Sequence, residues 1–569
     1  MAAVLGARAV ARQRVHWTDR AGELMLAALA AALAAFLVAP LAAILLQSIE
    51  DARGRVIGLD NYFAYFETPA LAHSLWNSVW VSLLVTALVV PAAFAFAYGL
   101  TRSCMPLKGV FRTVALTPLL APSLLAAISF IYWFGNQGVL KEWMQALGIE
   151  QIYGAPGIVL AQAFSVFPHA LMILITALSL ADARLYEAAD ALGTGDARKF
   201  FTITLPGAKY GLASAAMVSF TLVITDFGIP KVIGGNFNVL ATDVFKLVIG
   251  QQDFQKGAVV AVFLLAPALL TFVVDRMVQR KQTSMLSARA VPYAPRASRG
   301  FDAAITAYCS VVVLLMLAVF GMAVYASFVK FWPYDLSFSL RHYVLGLVDN
   351  EAGTAFGNSL KLAFATALAG TATVFAGAYL TEKLRGAAWL RATVQFLGLL
   401  PMAVPGLVLG LGYIFFFNAP DNPLNFLYHS MAILVACTVV HFYTTGQLTA
   451  VTALKALDAE FESVSASLKV PFWKTAWRVT LPICTPALVD ISRYFFINAM
   501  TTISAVVFLY SPDTRLASIA ILNLDEAGEP GAAAAVAVLI AATSLVVCIL
   551  YLGLGWLVER RTQTWRKPA

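Results

Sequence analysis

Two ionisable residues interrupt an apolar run that is long enough to cross a membrane. Asp226 and Lys231 lie in the stretch LVITDFGIPKVIGG, where a glycine and a proline also break the run. A carboxylate is costly in hydrocarbon, so Asp226 should face a polar cavity or a partner. One interpretation places both residues on a polar path, with Asp226 against an ammonium group and Lys231 against an anionic group of a ligand. The other, which we favour, is an Asp226–Lys231 pair at a helix terminus near the outer surface.

Hydroxyl and amide groups occupy the corresponding place in the second half of the chain. A repeat described below aligns Thr502 with Asp226; Thr501 precedes it and Asn498 lies one turn earlier. We add these three residues to the candidate path. Asp490 and Arg493 are spaced i and i+3, which predicts that they pair with each other on one helix face.

Motifs for catalysis and nucleotide binding are absent from the sequence. It contains no G-x-x-x-x-G-K-[ST] and no H-E-x-x-H, and no G-x-S-x-G stands out. His169 and His441 lie in or near apolar runs without a second ligand at metal spacing, so we expect them to be packed or hydrogen-bonded. The five cysteines form no C-x-x-C. We therefore expect no catalytic residue, metal or cofactor in this chain.

The elements that hold these residues are apolar helices. The chain has 569 residues, of which 60% are hydrophobic and only 12% are charged. Runs of about 20 apolar residues are long enough to cross about 30 Å of hydrocarbon. We find twelve, which predicts an all-α polytopic membrane protein: 22–48, 75–100, 110–134, 155–180, 210–233, 257–275, 305–328, 357–380, 394–417, 429–453, 484–509 and 531–556.

Lysine and arginine predict the orientation. If the N-terminus is inside, the segments on that side contain 28 of the 39 basic residues. This asymmetry places both termini in the cytoplasm. Basic cytoplasmic loops also explain the net charge of +8 without a nucleic-acid partner.

The twelve runs divide into two similar sets of six. ITALSLADARLYEAADALG at 175–193 matches VTALKALDAEFESVSASLK at 451–469, and the same offset aligns the TLP at 204–206 with the TLP at 480–482. Six spans per copy keep both copies in the same orientation, so a pseudo-twofold axis along the membrane normal should relate them. We predict a first domain at 1–275, a cytoplasmic linker with Pro292 and Pro295 at 276–304, and a second domain at 305–569.

The matching segments predict a polar loop in each half, which we call loop 1 (181–210) and loop 2 (457–482). In loop 1, Asp182 can cap a short helix with one apolar stripe, and Asp196 can cap a second. In isolation this loop would be interpreted as packed on its own bundle. Its appearance at the same place in both halves favours a surface that docks into a groove of a cytoplasmic partner. The stripe consists of Leu185, Ala188, Ala189 and Leu192.

Loop 1 resembles the EAA loop of bacterial ABC importer permeases. That pattern is Glu-Ala-Ala, three residues, Gly, nine residues, Ile, one residue, Leu-Pro. Every position matches here: Glu187, Ala188, Ala189, Gly193, Ile203, Leu205 and Pro206.

Loop 2 departs from the pattern, although its apolar stripe of Phe461, Val464 and Leu468 remains. In register with Leu481-Pro482, the three EAA positions hold Ser463, Val464 and Ser465, Glu462 precedes them, and Lys469 replaces the glycine. Its docking shape is expected to be retained, whereas the acidic residue of the pattern is displaced by one position, to Glu462.

The resemblance covers nearly the whole chain and implies a fused pair of type I importer permease domains. Such a protein docks two cytoplasmic ABC ATPase subunits, which bind ATP and magnesium, and receives its solute from a periplasmic solute-binding protein. It lies in the bacterial inner membrane. LWNSVWVS, LTRSCMPLKG and VITDFGIPKVIGG are most similar to 2-aminoethylphosphonate permeases; ferric-iron permeases share the plan and are the alternative. A secondary transporter driven by an ion gradient would need ionisable residues near mid-membrane and no docking loops.

Overall fold

The structure is a computed structural model that describes residues 17–285, 291, 293–344, 352–384, 386–458 and 460–562. Residues 1–16, Pro292 of the predicted linker and residues 563–569 lie outside this part. Within a membrane, an apolar run can satisfy its backbone hydrogen-bonding groups only as a helix. Helices accordingly account for nearly all of the described elements.

The first half contains fourteen helices: α1 (Trp17–Leu33), α2 (Ala39–Ile49), α3 (Asp60–Phe66), α4 (Pro69–Arg102), α5 (Lys108–Leu116), α6 (Ser123–Phe134), α7 (Lys141–Ala146), α8 (Ala155–Ser179), α9 (Ala183–Ala191), α10 (Asp196–Lys199), α11 (Leu205–Thr225), α12 (Gly228–Ile233), α13 (Leu240–Phe245) and α14 (Phe254–Met285).

The second half contains a two-stranded hairpin and eleven described helices: α15 (Arg299–Phe328), β1 (Val329–Phe331), β2 (Asp335–Phe338), α16 (Arg341–Val344), α17 (Ala352–Lys383), α18 (Ala388–Leu399), α19 (Gly406–Phe417), α20 (Met431–Lys455), α21 (Glu460–Ser467), α22 (Phe472–Thr475), α23 (Leu481–Thr501), α24 (Ala517–Glu526) and α25 (Pro530–Thr562). The strands pair antiparallel. Single 3₁₀ or π-helical turns occur at Ala34–Val38, Thr117–Leu120, Phe200–Thr204, Lys246–Gly250, Leu400–Ala403, Asn425–Leu427, Ala476–Thr480 and Pro512–Thr514.

Nine helical spans in the described part of the chain are long and apolar enough to cross a membrane. Two further predicted runs, 110–134 and 394–417, are not straight spans. They bend by 102° and 113° at breaks that end in Pro122 and Pro405. Proline lacks the backbone N–H that continues a helix, so the chain turns at each of these two prolines and starts a new helix. Counting each bent pair as one span gives eleven.

One predicted run, 484–509, is not among these eleven spans. The other difference from the predicted runs concerns where helices end. The runs 210–233 and 484–509 were predicted as continuous, but α11 ends at Thr225 and α23 ends at Thr501. The backbone is extended at the next residue in both cases. The predicted linker 276–304 is also partly helical, because α14 continues to Met285 and α15 begins at Arg299.

The two halves repeat one unusual contact, which supports the internal repeat. The Asn77 amide donates to the Asn238 carbonyl, and the Ser78 hydroxyl accepts from the N–H of Leu240, at the start of α13. The second half shows the same arrangement at the start of α24, where Asn358 donates to two loop carbonyls and Ser359 accepts from Ala517. An Asn-Ser pair therefore satisfies backbone groups at an equivalent helix start in each half.

The first helices of the two halves are exchanged in part: α2 packs on α19 as well as on α14, and α15 packs on α6 as well as on α25. Leu26 of α1, Leu37 of the turn between α1 and α2, and Ile44 of α2 are buried in the core that contains α19 and α20 of the second half. Conversely, Cys309 and Val313 of α15 belong to the core of the first half, together with α4 and α8. Neither half therefore completes its own core.

Candidate functional site

Loop 1 folds as two short helices joined by a tight turn, as predicted. The predicted Asp196 cap is wrong, because Gly195 is the N-cap residue of α10 and the Asp196 carboxylate pairs with Lys199 at 2.9 Å. The Asp182 carboxylate caps α9 by accepting from the N–H of Arg184 at 3.1 Å. The helix ends at Ala191, and Gly193, two residues later, has a φ of +69°, a left-handed conformation that favours glycine. The N–H of Thr194 then returns to the Ala189 carbonyl at 2.9 Å, which closes the turn.

The face of α9 opposite the bundle is apolar and open. Leu192 is 83% exposed, and Leu185, Glu187 and Ala188 are also exposed. Ala189 is buried with Ala183 and Tyr186, so the predicted stripe is divided and Ala189 faces the bundle. Exposed leucines at one helix face are typical of a surface that a partner covers. Ile203, Leu205 and Pro206 lie where the loop enters α11; Pro206 is exposed, and the other two are half-buried.

Hydrogen bonds and ion pairs fix the inner face of loop 1. The Tyr186 hydroxyl bonds to the Thr204 hydroxyl at 2.9 Å, which ties α9 to the start of α11. Asp190 pairs with Lys199 and, at 2.8 Å, with Arg296. The hydrogen bond from Lys199 lowers the pKa of Asp190, so this carboxylate is charged at neutral pH.

Loop 2 repeats this shape with different chemistry. Lys469 occupies the glycine position and has the same left-handed backbone, with φ +55°. The N–H of Val470 returns to Ser465 at 3.0 Å, as Thr194 does in loop 1. Val464 is 57% and Leu468 is 69% exposed, with Phe461 and Ser463 on the same open surface. Leu481 is half-buried and Pro482 is exposed at the start of α23.

The acidic residues of the two loops differ in their surroundings. Glu187 is exposed and makes no ion pair with the described residues. Glu462 instead pairs with Lys383 at 2.9 Å, and both side chains are mostly buried. The carboxylate of loop 2 is therefore used within the chain.

Both loops lie at one end of the helical bundle. Trp17 at the start of α1 packs against Trp473 of loop 2, with ring centroids 5.3 Å apart. Arg102 at the end of α4 donates to the Leu178 carbonyl beside loop 1 at 2.8 Å. The α1–α2 span and α4 are consecutive spans with opposite directions, so the start of one and the end of the other lie at the same end.

The candidate path residues lie at the helix ends described above. The breaks after Thr225 and Thr501 approach each other across the halves: a methyl group added to Gly228 would lie 3.7 Å from Ile503. Asp226 accepts from the N–H of Ile229 at 3.2 Å. Asn498 and Thr501 donate to carbonyls of their own helix, and the Thr502 carbonyl accepts from Ser518.

The favoured Asp226–Lys231 pair is wrong. The Lys231 ammonium lies 2.6 Å from a carboxylate oxygen of Glu526, in the other half, and Asp226 caps the first turn of α12. The position of Glu526 could not be found from the sequence, because no local spacing relates the two residues. The predicted pair of Asp490 and Arg493 is confirmed at 3.0 Å.

The contact between Lys231 and Glu526 gives a testable stability effect. Lys231→Glu is expected to lower the free energy of unfolding by about 1 kcal/mol, because it replaces an attraction between the halves by a repulsion at a partly exposed site. The exchanged variant Lys231→Glu/Glu526→Lys is expected to recover most of the loss. A denaturant titration of all four members of the cycle measures this coupling, and strictly additive effects of the two substitutions would contradict it.

Groups of three or more potential metal ligands do not occur among the described residues. His441 is packed beside Gly406, where an added methyl group would lie 3.1 Å from its ring. Gly406 and Gly410 of α19 lie against the turn that follows α23, since methyl groups added at these positions would meet Ser504 and Ala505 at 2.7 Å.

A duplicated bundle of apolar helices with two open helical loops at one end defines a multi-pass membrane protein. A family model described as "binding-protein-dependent transport system inner membrane component" matches residues 90–285 and again 352–563. The chain therefore belongs to this family of membrane permease components, and the fused, tandem arrangement of two permease domains is confirmed.

Curated relatives extend along most of the chain. The ferric transport system permease protein FbpB of Actinobacillus pleuropneumoniae is 27% identical over 541 residues, which are 92% of this chain and 76% of that protein. The putative ferric transport system permease protein FbpB 1 of Haemophilus influenzae is 26% identical, covering 77% of this chain and 70% of that protein. The probable ABC transporter permease protein y4fN of Sinorhizobium fredii is 23% identical, covering 84% and 86%.

Proposed function

We propose that this chain is the membrane subunit of an ATP-driven importer and that loops 1 and 2 dock two ABC ATPase subunits. The observation that supports this most directly is the pair of open apolar helix faces at one end of the bundle. Leu192 and Leu468 occupy equivalent places on them. An exposed apolar helix face fits a groove in a partner. ATP and magnesium belong to the ATPase subunits in this proposal, and the chain supplies the path.

Docking at this end implies an orientation. The loops and both termini lie on the cytoplasmic side of the inner membrane, and a periplasmic solute-binding protein delivers the solute at the opposite end. Lysine and arginine in the loops support the same orientation. Closure of the ATPase subunits on ATP would move the two loops, and the helices α11 and α23 that follow them would transmit the motion to the breaks at Asp226 and Thr502.

The two docking contacts are unequal in this proposal. Glu187 is available to a basic group of an ATPase subunit, whereas Glu462 is paired with Lys383. Loop 2 therefore relies on Phe461, Val464 and Leu468, and loop 1 adds an ionic contact to its leucines.

Two solutes are candidates, each favoured by a different observation. 2-Aminoethylphosphonate is favoured by the resemblance of LWNSVWVS, LTRSCMPLKG and VITDFGIPKVIGG to permeases for that solute. Ferric iron is favoured by two relatives whose names are ferric transport permeases and which align along most of the chain. The candidate path residues do not discriminate between the two solutes, because Lys231 and Asp226 both have partners within the chain.

Uptake in cells tests both the function and the solute. Cells that lack this chain, with its binding protein and ATPase present, are given labelled 2-aminoethylphosphonate or labelled ferric iron, with and without the restored chain. Restored uptake of one solute that is lost again with Glu187→Arg supports import and identifies the solute. Uptake of neither, or uptake that persists with Glu187→Arg and without the ATPase, would contradict the proposal.

A further inference from the structure

The linker between the halves packs against the inner face of loop 1. Between α14 and α15, the structure describes residues 291 and 293–298 of this linker. The Val291 carbonyl accepts from the N–H of Ala183 at 2.9 Å, and the N–H of Val291 donates to Asp182 at 3.3 Å. The linker thus bonds directly to the residues that start α9.

Aromatic rings strengthen this contact around a buried cation. Arg102 is only 7% exposed and donates one hydrogen bond, to Leu178. Its guanidinium lies 4.4 Å from the ring centroid of Tyr293 and 5.3 Å from that of Tyr186. The two tyrosine rings are 4.6 Å apart. A buried guanidinium is stabilised by ring faces, so Tyr293 of the linker, Tyr186 of α9 and Arg102 of α4 form one unit.

The far end of α9 is bound to the same linker. Arg296 pairs with Asp190 at 2.8 Å, and Asp190 also pairs with Lys199 of α10. Cys104, after α4, donates its N–H to Asp302 of α15 at 2.8 Å and its thiol to the Pro295 carbonyl at 3.5 Å. Linker residues therefore contact α9 at its start, middle and end, while the other side of α9 remains open.

We propose that this linker segment is a clasp that sets the position of loop 1 against the bundle, with Tyr293 as its positioning residue. The clasp leaves Leu185 and Leu192 open, so it does not compete with a docked partner. The position of the loop does not depend on the proposed function, but the consequence for coupling does. A loop held at three points transmits the movement of a docked ATPase subunit to α11 with little loss.

The position of the loop is measured first, on the full chain alone. A spin label is attached at Leu192→Cys in a Cys104→Ser/Cys548→Ser background, which leaves only buried native cysteines and keeps a hydrogen-bond donor for Pro295. Tyr293→Ala is expected to increase the mobility of this label, and Tyr293→Phe, which retains the ring, is expected to leave it unchanged. The same label at Leu468→Cys in loop 2 is the internal control and should respond to neither substitution. An unchanged spectrum at Leu192 in Tyr293→Ala would overturn the clasp.

Coupling is measured second, on the complete complex in proteoliposomes. Tyr293→Ala is expected to lower the ratio of binding-protein-stimulated to basal ATP hydrolysis by about two- to thirty-fold while the ATPase subunits still co-purify. A mobile label with an unchanged ratio would overturn the positioning role. A complex whose unmodified chain never binds an ATPase subunit would refute the proposed function instead, and the label mobility would still decide the clasp. Arg296→Glu, an exposed substitution, repeats both measurements if Tyr293→Ala fails to fold.

Discussion

Leu192→Asp is expected to abolish co-purification of the ATPase subunits with this chain and to abolish uptake. The side chain is 83% exposed and contributes little to the folded chain, so its cost appears only in the complex. Burying a leucine stabilises a contact by about 1.5–3 kcal/mol, and an unpaired carboxylate in its place adds a penalty of similar size. The sum corresponds to at least about a hundred-fold weaker binding.

The matched control is Leu107→Asp. Leu107 is 68% exposed in the turn after α4, at the same end of the bundle, and lies outside both loops. It should affect neither ATPase binding nor the thermal midpoint. Leu468→Asp in loop 2 is expected to act like Leu192→Asp, since the two residues are equivalent. Normal ATPase yield with Leu192→Asp, in a chain of unchanged stability, would show that this face of α9 is not the docking surface.

Gly412→Val is expected to destabilise the folded chain more than Lys231→Glu does. Gly412 of α19 faces α2 of the other half, and a methyl group added there would lie 2.7 Å from the Pro40 carbonyl oxygen and 3.0 Å from Ile44. Backbone atoms cannot rotate away as a flexible side chain can. Overpacking costs about 1–3 kcal/mol where side chains yield, so we expect at least the upper end of that range.

Thermal unfolding of the purified chain measures this effect, with Gly553→Val as its matched control. Gly553 also lies within a long apolar helix, but nothing lies within 4 Å of a methyl group added there. Both variants replace a helical glycine by valine, so the change in helix propensity is the same. The difference between their thermal midpoints therefore isolates the contact between α2 and α19. Equal thermal midpoints for the two variants would mean that α2 does not pack on α19 of the second half.

The sequence predicted what is local or repeated. The constant offset aligned Gly193 with Lys469, and both residues have the same left-handed backbone although only one is glycine. The Asp182 cap and the helix–turn–helix of loop 1 followed from residue types within a few positions. Helical spans were recognised because charge is absent over whole runs, which is a strong signal in a membrane.

Neighbours of helices could not be predicted, for a physical reason. A soluble helix shows an apolar face toward its core, but α2 and α25 are apolar on all sides, so periodicity does not reveal which face contacts protein and which contacts lipid. The exchange of α1 and α15 and the pairing of Lys231 with Glu526 were therefore missed. The bends at Pro122 and Pro405 had a visible signal, since a proline stands at the equivalent place in each half. Hydropathy alone nevertheless predicted continuous runs.

The exchange of α1–α2 and α15 has a consequence for biosynthesis. The ribosome delivers α1 and α2 first, whereas α19, their neighbour, is made only after most of the chain. The groove of the first half that α15 fills is likewise empty until the linker and α15 have been inserted. The contacts of α1 and α2 with the second half therefore form only late in translation, and a chain that terminates before α15 leaves the surfaces of α4, α5 and α6 that α15 covers facing lipid.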